Sequence, residues 1–112
     1  MKILNFYPYY DNLLREKSKW TTIRLGDQRS KFSVGQIAML TIGWVENEAN
    51  AKLGQVEITS VDYKRIEDLT EEDIHGESPD CTKKDSIAFV ISAVYKKVVT
   101  NKDYVTIIKW KY

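Results

Sequence analysis

The sequence predicts an α+β domain, a small curved or barrel-like sheet with helices packed on its outside. Three observations carry that prediction. Short apolar stretches rich in β-branched and aromatic residues recur along the chain, each bounded by turn residues. The segments Arg65 to Ile74 and Ser86 to Tyr95 switch to helical character. The resulting order, β-α-β-β-β-α-α-β, lacks the regular alternation that builds a doubly wound parallel sheet. With 112 residues, the chain forms one domain, residues 1–112, with no linker or internal repeat.

Lys2 to Tyr7 reads as the first strand, stopped by Pro8, and Tyr10 to Lys17 as a short helix whose Tyr10, Leu13 and Leu14 share a face. Trp20 to Leu25 reads as the second strand. Its alternation sends Thr21, Ile23 and Leu25 to one face and Trp20, Thr22 and Arg24 to the other, so one face is apolar and the other carries chemistry. A loop from Gly26 to Lys31 leads through Phe32-Ser33-Val34-Gly35-Gln36, with Gly35 as turn residue, into a strand from Ile37 to about Val45. After the polar turn Glu46–Asn50, Lys52 to Asp62 pairs back as a hairpin, its apolar alternation lapsing at Ser60. Thr70-Glu71-Glu72-Asp73 and Thr82-Lys83-Lys84-Asp85 have capping-box form. The second precedes Ile87, Val90, Ile91, Val94 and Tyr95, the strongest helical spacing in the chain. Asp103 to Tyr112 closes as a strand.

Several function classes fall away. Uncharged stretches such as Ser33 to Val45 and Ser86 to Tyr95 fall well short of the ~20 residues of a membrane-spanning helix. The N-terminus shows no secretory pattern, so a cytoplasmic location is expected. A single cysteine, Cys81, forms no internal disulfide and reads as an inert residue near a helix start. There is no glycine-rich phosphate loop and no nucleophile elbow. The segment His75-Gly76-Glu77 with Pro79-Asp80-Cys81 lacks the second cysteine of a zinc deaminase. No metal and no cofactor are expected, and His75 reads as the end of the acidic helix.

The net charge of +1 is a sum of unlike parts: +2 over Met1 to Val61, −5 over Asp62 to Asp85 and +4 over Ser86 to Tyr112. Arg15 to Lys31 is locally basic, and Lys17, Arg29 and Lys31 are candidates for contacting an RNA backbone. The near-balance as a whole argues against broad nucleic-acid binding and for a small polar pocket.

Two strings remain for that pocket, Lys19-Trp20-Thr21-Thr22-Ile23-Arg24 and the turn Gly76-Glu77-Ser78-Pro79. With Lys31-Phe32-Ser33-Val34-Gly35-Gln36, Asp68-Leu69-Thr70-Glu71-Glu72-Asp73 and the aromatic last strand, the first string resembles the ASCH domain family of PUA-like barrels. The resemblance covers most of the chain and is greatest to small bacterial members that remove the acetyl group from N4-acetylcytidine. It implies a PUA-like β-barrel with flanking helices and catalytic roles for Lys19, Thr22 and Glu77. It also implies a partner that is a nucleoside or RNA, with no membrane and a monomeric chain.

The residues support such chemistry in their own right. A threonine hydroxyl becomes a nucleophile when a base takes its proton, and a desolvated lysine beside a cation such as Arg24 can be that base. Glu77 then serves as general acid or base. Arg24 is placed to hold a carbonyl or phosphate oxygen, and Trp20 to stack on a pyrimidine. Lys19 and Thr22 are an odd number apart, so an ideal strand separates them. Lys19 is therefore expected in the turn before the strand or on a bulge. The subgroup carries Gly-Arg-Lys-Thr where this chain has Lys17-Ser18-Lys19-Trp20. The alternatives to an amidohydrolase are a non-catalytic RNA-binding module and a protein-interaction module, the latter with no pocket around Thr22 and Arg24.

Overall fold

A computed structural model describes residues 1–79 and 84–112, and for Lys84 and Asp85 the backbone alone. The expected capping box that starts at Thr82, and Cys81, lie outside the described residues. The chain forms β1 (Lys2–Phe6), α1 (Asp11–Arg15), β2 (Thr21–Leu25), β3 (Ile37–Ile42), β4 (Ala51–Arg65), α2 (Glu71–Ile74), α3 (Lys84–Tyr95) and β5 (Tyr104–Lys111). Two 3-10 turns, Pro8–Tyr10 and Ile66–Asp68, precede α1 and α2.

The strands form one sheet in the order β1-β3-β4-β5-β2, curled into a half-barrel with short helices. β1 and β3 are parallel, and every other pairing is antiparallel. The long β4 bonds β3 with its first half and β5 with its second, and register shifts at Leu40/Thr41 and Ile58/Ser60 accompany the change. Such bulges bend and twist a strand. The lapse of alternation at Ser60 is therefore a bulge, and β4 continues past the expected Asp62 to Arg65.

The first helix is shorter than expected and ends at Arg15. Ser18 N–H donates to Leu13 O (2.9 Å) and Lys17 N–H to Leu14 O (3.2 Å), a Schellman ending with Lys17 left-handed at φ +60°. β3 stops at Ile42, short of Val45, and Gly43 just beyond it still donates its N–H to Phe6 O of β1 (2.9 Å). The expected helix from Arg65 to Ile74 splits. Its second part carries the Thr70–Asp73 capping box, with Asp73 N–H donating to Thr70 Oγ1 (3.2 Å) and Thr70 N–H to Asp73 Oδ2 (2.9 Å).

Two apolar clusters flank the sheet. One joins Leu4, Phe6, Leu14, Phe32, Leu40, Ile58, Ile108 and Trp110. The other joins Ile23, Ile66, Leu69, Ile74, Ile87, Ile91, Val105 and Ile107. Adjacent Ile107 and Ile108 enter different clusters, as strand alternation requires of a strand covered on both faces. Among the described residues no helix is long and apolar enough to cross a membrane.

Candidate functional site

β1 and β2 are the two ends of the strand order, and the curl brings them face to face. Arg24 Nη2 of β2 donates to Asn5 O of β1 (2.8 Å), spanning the seam that a closed barrel would zip with backbone bonds. A cleft of about 220 Å³ opens along this seam. Asn5, Phe6 and Tyr7 of the β1 side line it opposite Thr22, Ile23 and Arg24. Tyr10, Lys19 and Glu77 also line it, and Val90, Ile91, Val94 and Tyr95 of α3 complete the wall.

An edge strand presents a row of unpaired N–H groups, and those of β2 are met by non-strand partners. Thr21 N–H donates to Gly76 O (3.1 Å), Ile23 N–H to Glu77 Oε2 (2.8 Å) and Leu25 N–H to Tyr95 Oη (3.3 Å). The Glu77 carboxylate thus occupies the place of a neighbouring strand's carbonyl. Its other oxygen accepts from Ser78 N–H (2.7 Å) and Ser78 Oγ (3.1 Å) and pairs with the Lys19 ammonium. The side chains of Lys19 and Glu77 are 2% and 5% exposed, so the pair is almost removed from water. Gly76, with φ +87°, aims the turn, and a Cβ there would overlap the Trp20 indole.

Lys19 lies ahead of β2, as its odd separation from Thr22 requires. Its ammonium donates to Thr21 O (2.8 Å) and sits 5.1 Å from the Tyr10 ring centre and 5.6 Å from that of Phe6. Two aromatic faces and a carboxylate therefore surround one cation. Tyr112 Oη donates to the Lys19 carbonyl and fixes the backbone there. Partial burial pushes the Tyr112 phenol above its ordinary range, against a hydrogen bond with Trp110 that lowers it, so it remains a protonated donor. Arg24 Nε donates to Thr22 Oγ1 at 3.5 Å, and its guanidinium lies 5.0 Å from the Phe6 ring centre. Burial pushes Arg24 below its ordinary value, against the attraction of Tyr95 and Glu46, and an arginine stays charged under such a shift.

The structure therefore brings Lys19, Thr22, Arg24 and Glu77 to one cleft. Trp20 is different. It was expected on the Thr22 face, but it precedes β2, packs edge-on against His75 (5.1 Å) and fills the space above Gly76, outside the cleft lining. The candidate backbone contacts are also elsewhere. Lys17 and Lys31 are exposed, and Arg29 is held by Asp27 (2.8 Å) and lies over the Tyr63 ring (4.3 Å). Sequence reading missed Asn5, Tyr7, Tyr10 and Tyr95. Asn5 carries the strongest positional role, since its side chain donates to Gly43 O (3.0 Å) and accepts from Thr41 Oγ1 (2.7 Å) and Asn50 Nδ2 (3.1 Å). An asparagine amid the apolar residues of a first strand was the available signal.

No protein-family model and no curated protein matches this sequence. Two crystal structures are similar in fold. An ASCH domain from Lactobacillus crispatus JV V101 superposes with a TM-score of 0.58 at 17% identity, over 98% of this chain and 79% of that one. A protein from Enterococcus faecalis V583, of the DUF984 family, gives 0.63 at 13% identity, over 92% of this chain and 69% of that one. The fold is the ASCH, PUA-like half-barrel. At these identities the likeness concerns architecture, and the seam of that architecture holds the buried Lys19–Glu77 pair.

Proposed function

We propose that the seam of this ASCH fold binds a modified pyrimidine nucleoside, free or within RNA, and hydrolyses an exocyclic amide such as that of N4-acetylcytidine. The observation that carries the reading is the Lys19–Glu77 pair, withdrawn from water at a cleft that also holds Thr22 and Arg24. Burying two charges costs several kcal/mol per ion, and such groups concentrate at functional sites. The cleft, about 220 Å³, lies below the ~300 Å³ typical of drug-sized ligands and suits a single base rather than a stretch of polymer.

In this reading the Lys19 ammonium lends a proton to its partner Glu77, to be returned once the amine has left, and the free amine of Lys19 takes the Thr22 proton while Thr22 Oγ1 attacks the acetyl carbon. Arg24 holds the oxygen on which charge develops. The tetrahedral adduct collapses, the C–N bond breaks, and the N4 amine leaves with the proton that Lys19 had accepted. Water activated by Glu77 then cleaves the acyl-threonine, releasing acetate and restoring the hydroxyl. The sum is amide plus water to amine plus carboxylic acid.

The test is incubation of the purified protein with N4-acetylcytidine, with cytidine and acetate read by chromatography. Cytidine is expected to accumulate, and Thr22→Ala and Glu77→Gln to slow it by about 100-fold or more while retaining cooperative melting. No cytidine, at protein levels that turn over in a positive control, overturns the catalytic reading. A pocket that binds without turnover is the second reading. The bonds of Glu77 to Ile23 and Ser78 favour it, since they give the carboxylate a structural task. Nucleoside binding with no product would select it.

A further inference from the structure

Three aromatic rings meet at the rim of the cleft. Tyr7, which lines the cleft, lies 5.4 Å from Trp44 and 6.4 Å from Tyr9, and Tyr9 lies 5.3 Å from Trp44. Tyr9 is 73% exposed and Trp44 59%, and neighbouring Val45 is 74% exposed. Tyr9 and Trp44 touch each other and the half-buried Tyr7 yet leave most of their own surface in water, at the edge of a pocket, where an apolar patch marks a contact site. They are also held in place. Gly43 N–H donates to Phe6 O (2.9 Å) and Gly43 O accepts from Asn5 Nδ2 (3.0 Å), so the residue before Trp44 is bonded to β1 on both sides of its backbone.

Resting on the reading of the seam as a nucleoside pocket, we infer that Trp44 and Tyr9 form a stacking platform for the base adjacent to the one in the cleft. The substrate is accordingly a nucleotide within a single-stranded RNA, in preference to a free nucleoside. Tyr7 belongs to both the cleft and the cluster and makes the two surfaces continuous. Flat aromatic faces accept any base, so the platform contributes affinity without sequence. The charge at the rim points to base contacts over phosphate contacts. Glu46, two residues after Trp44, is close enough to act on Arg24 electrostatically, and a carboxylate there repels a phosphate. The advantage of the longer ligand is therefore insensitive to salt, unlike the steep dependence of phosphate tracking.

The experiment compares equilibrium binding of N4-acetylcytidine alone and linked through a phosphate to adenosine on its 5′ or its 3′ side. It uses the full chain carrying Thr22→Ala to suppress turnover. One dinucleotide is expected to bind at least about fivefold tighter than the nucleoside. The ratio of the two affinities should fall to near one when Trp44→Ala or Tyr9→Ala is added, and should change little between low and high salt. Equal affinity of nucleoside and both dinucleotides overturns the platform and leaves the pocket reading standing. A ratio that survives both aromatic substitutions, or that collapses with salt, also overturns it. Failure of all three ligands to bind defeats the pocket reading and the platform with it.

Discussion

Two regions of the molecule set a basic residue against an acidic one, and the outcomes differ. At the seam, Lys19 and Glu77 leave 2% and 5% of their side chains exposed. Elsewhere, Lys64 and Asp73 leave 34% and 9%, and Arg29 and Asp27 leave 55% and 45%. Lys64, Arg29 and Asp27 reach solvent, and the largely buried Asp73 serves the cap of α2. The seam pair is dry because two sheet edges and α3 enclose it. Each place pairs a cationic side chain with a carboxylate. Removal from water makes one a candidate site and leaves the other a surface.

The largest effect that tests this contrast is at Lys19. Lys19→Met leaves the Glu77 carboxylate buried without its cation, and a loss of about 3–5 kcal/mol is expected in denaturant unfolding. Adding Glu77→Gln, which keeps an acceptor for Ile23 N–H, should restore most of that stability. If the single change costs nothing, the pair is not dry in the way described. Gly76→Ala comes next, because it combines a left-handed backbone with overlap on Trp20, and about 2–4 kcal/mol should be lost.

Asp73→Ala should cost about 1 kcal/mol through the cap. Burial pushes the Asp73 carboxyl up, but the hydrogen bonds from Lys64 and Thr70 outweigh it and hold the group below its ordinary value. A depressed carboxyl stabilises the fold above its unfolded value of about 3.9 and loses that contribution as pH falls through the lower folded value. Acid unfolding of the Asp73→Ala protein should therefore be less steep below about pH 4 than that of the parent, and an identical slope would contradict the assignment. Asp27 is held at about 2 by its hydrogen bonds from Arg29, yet both are exposed, and Arg29→Ala should leave the melting temperature unchanged within error. A small effect of opposite sign is expected at Lys17→Gly, where relief of the left-handed backbone is partly offset by a more flexible unfolded chain. A gain of about 0.5 kcal/mol is expected, and a loss would mean that the Lys17 contact with the Tyr112 ring outweighs the strain.

Much of the architecture was legible because it is local. Apolar alternation marked the β-strands, Thr70 and Asp73 announced a cap, and the alternation lapsed at Ser60, where the structure has a register shift. The spacing of Lys19 and Thr22 required Lys19 to lie off the strand, and it does. The fate of Trp20 was not legible. Alternation assumes that the strand starts where the sequence pattern does, whereas Trp20 N–H and Thr21 N–H both turn to Gly76 O, 2.9 and 3.1 Å away. That carbonyl lies on a turn more than fifty residues further along the chain.

The sequence by itself determined the α+β element order, the apolar faces, and which residue types were available for chemistry, since these follow from periodicity and composition. Only the tertiary structure decided that the sheet stays open between β1 and β2, that Arg24 bridges the gap, and that Glu77 stands in for a missing strand. Those facts depend on how far the sheet curls and on which distant turn covers its edge. Both are set by long-range packing and by the need to satisfy edge N–H groups, and no local pattern encodes them.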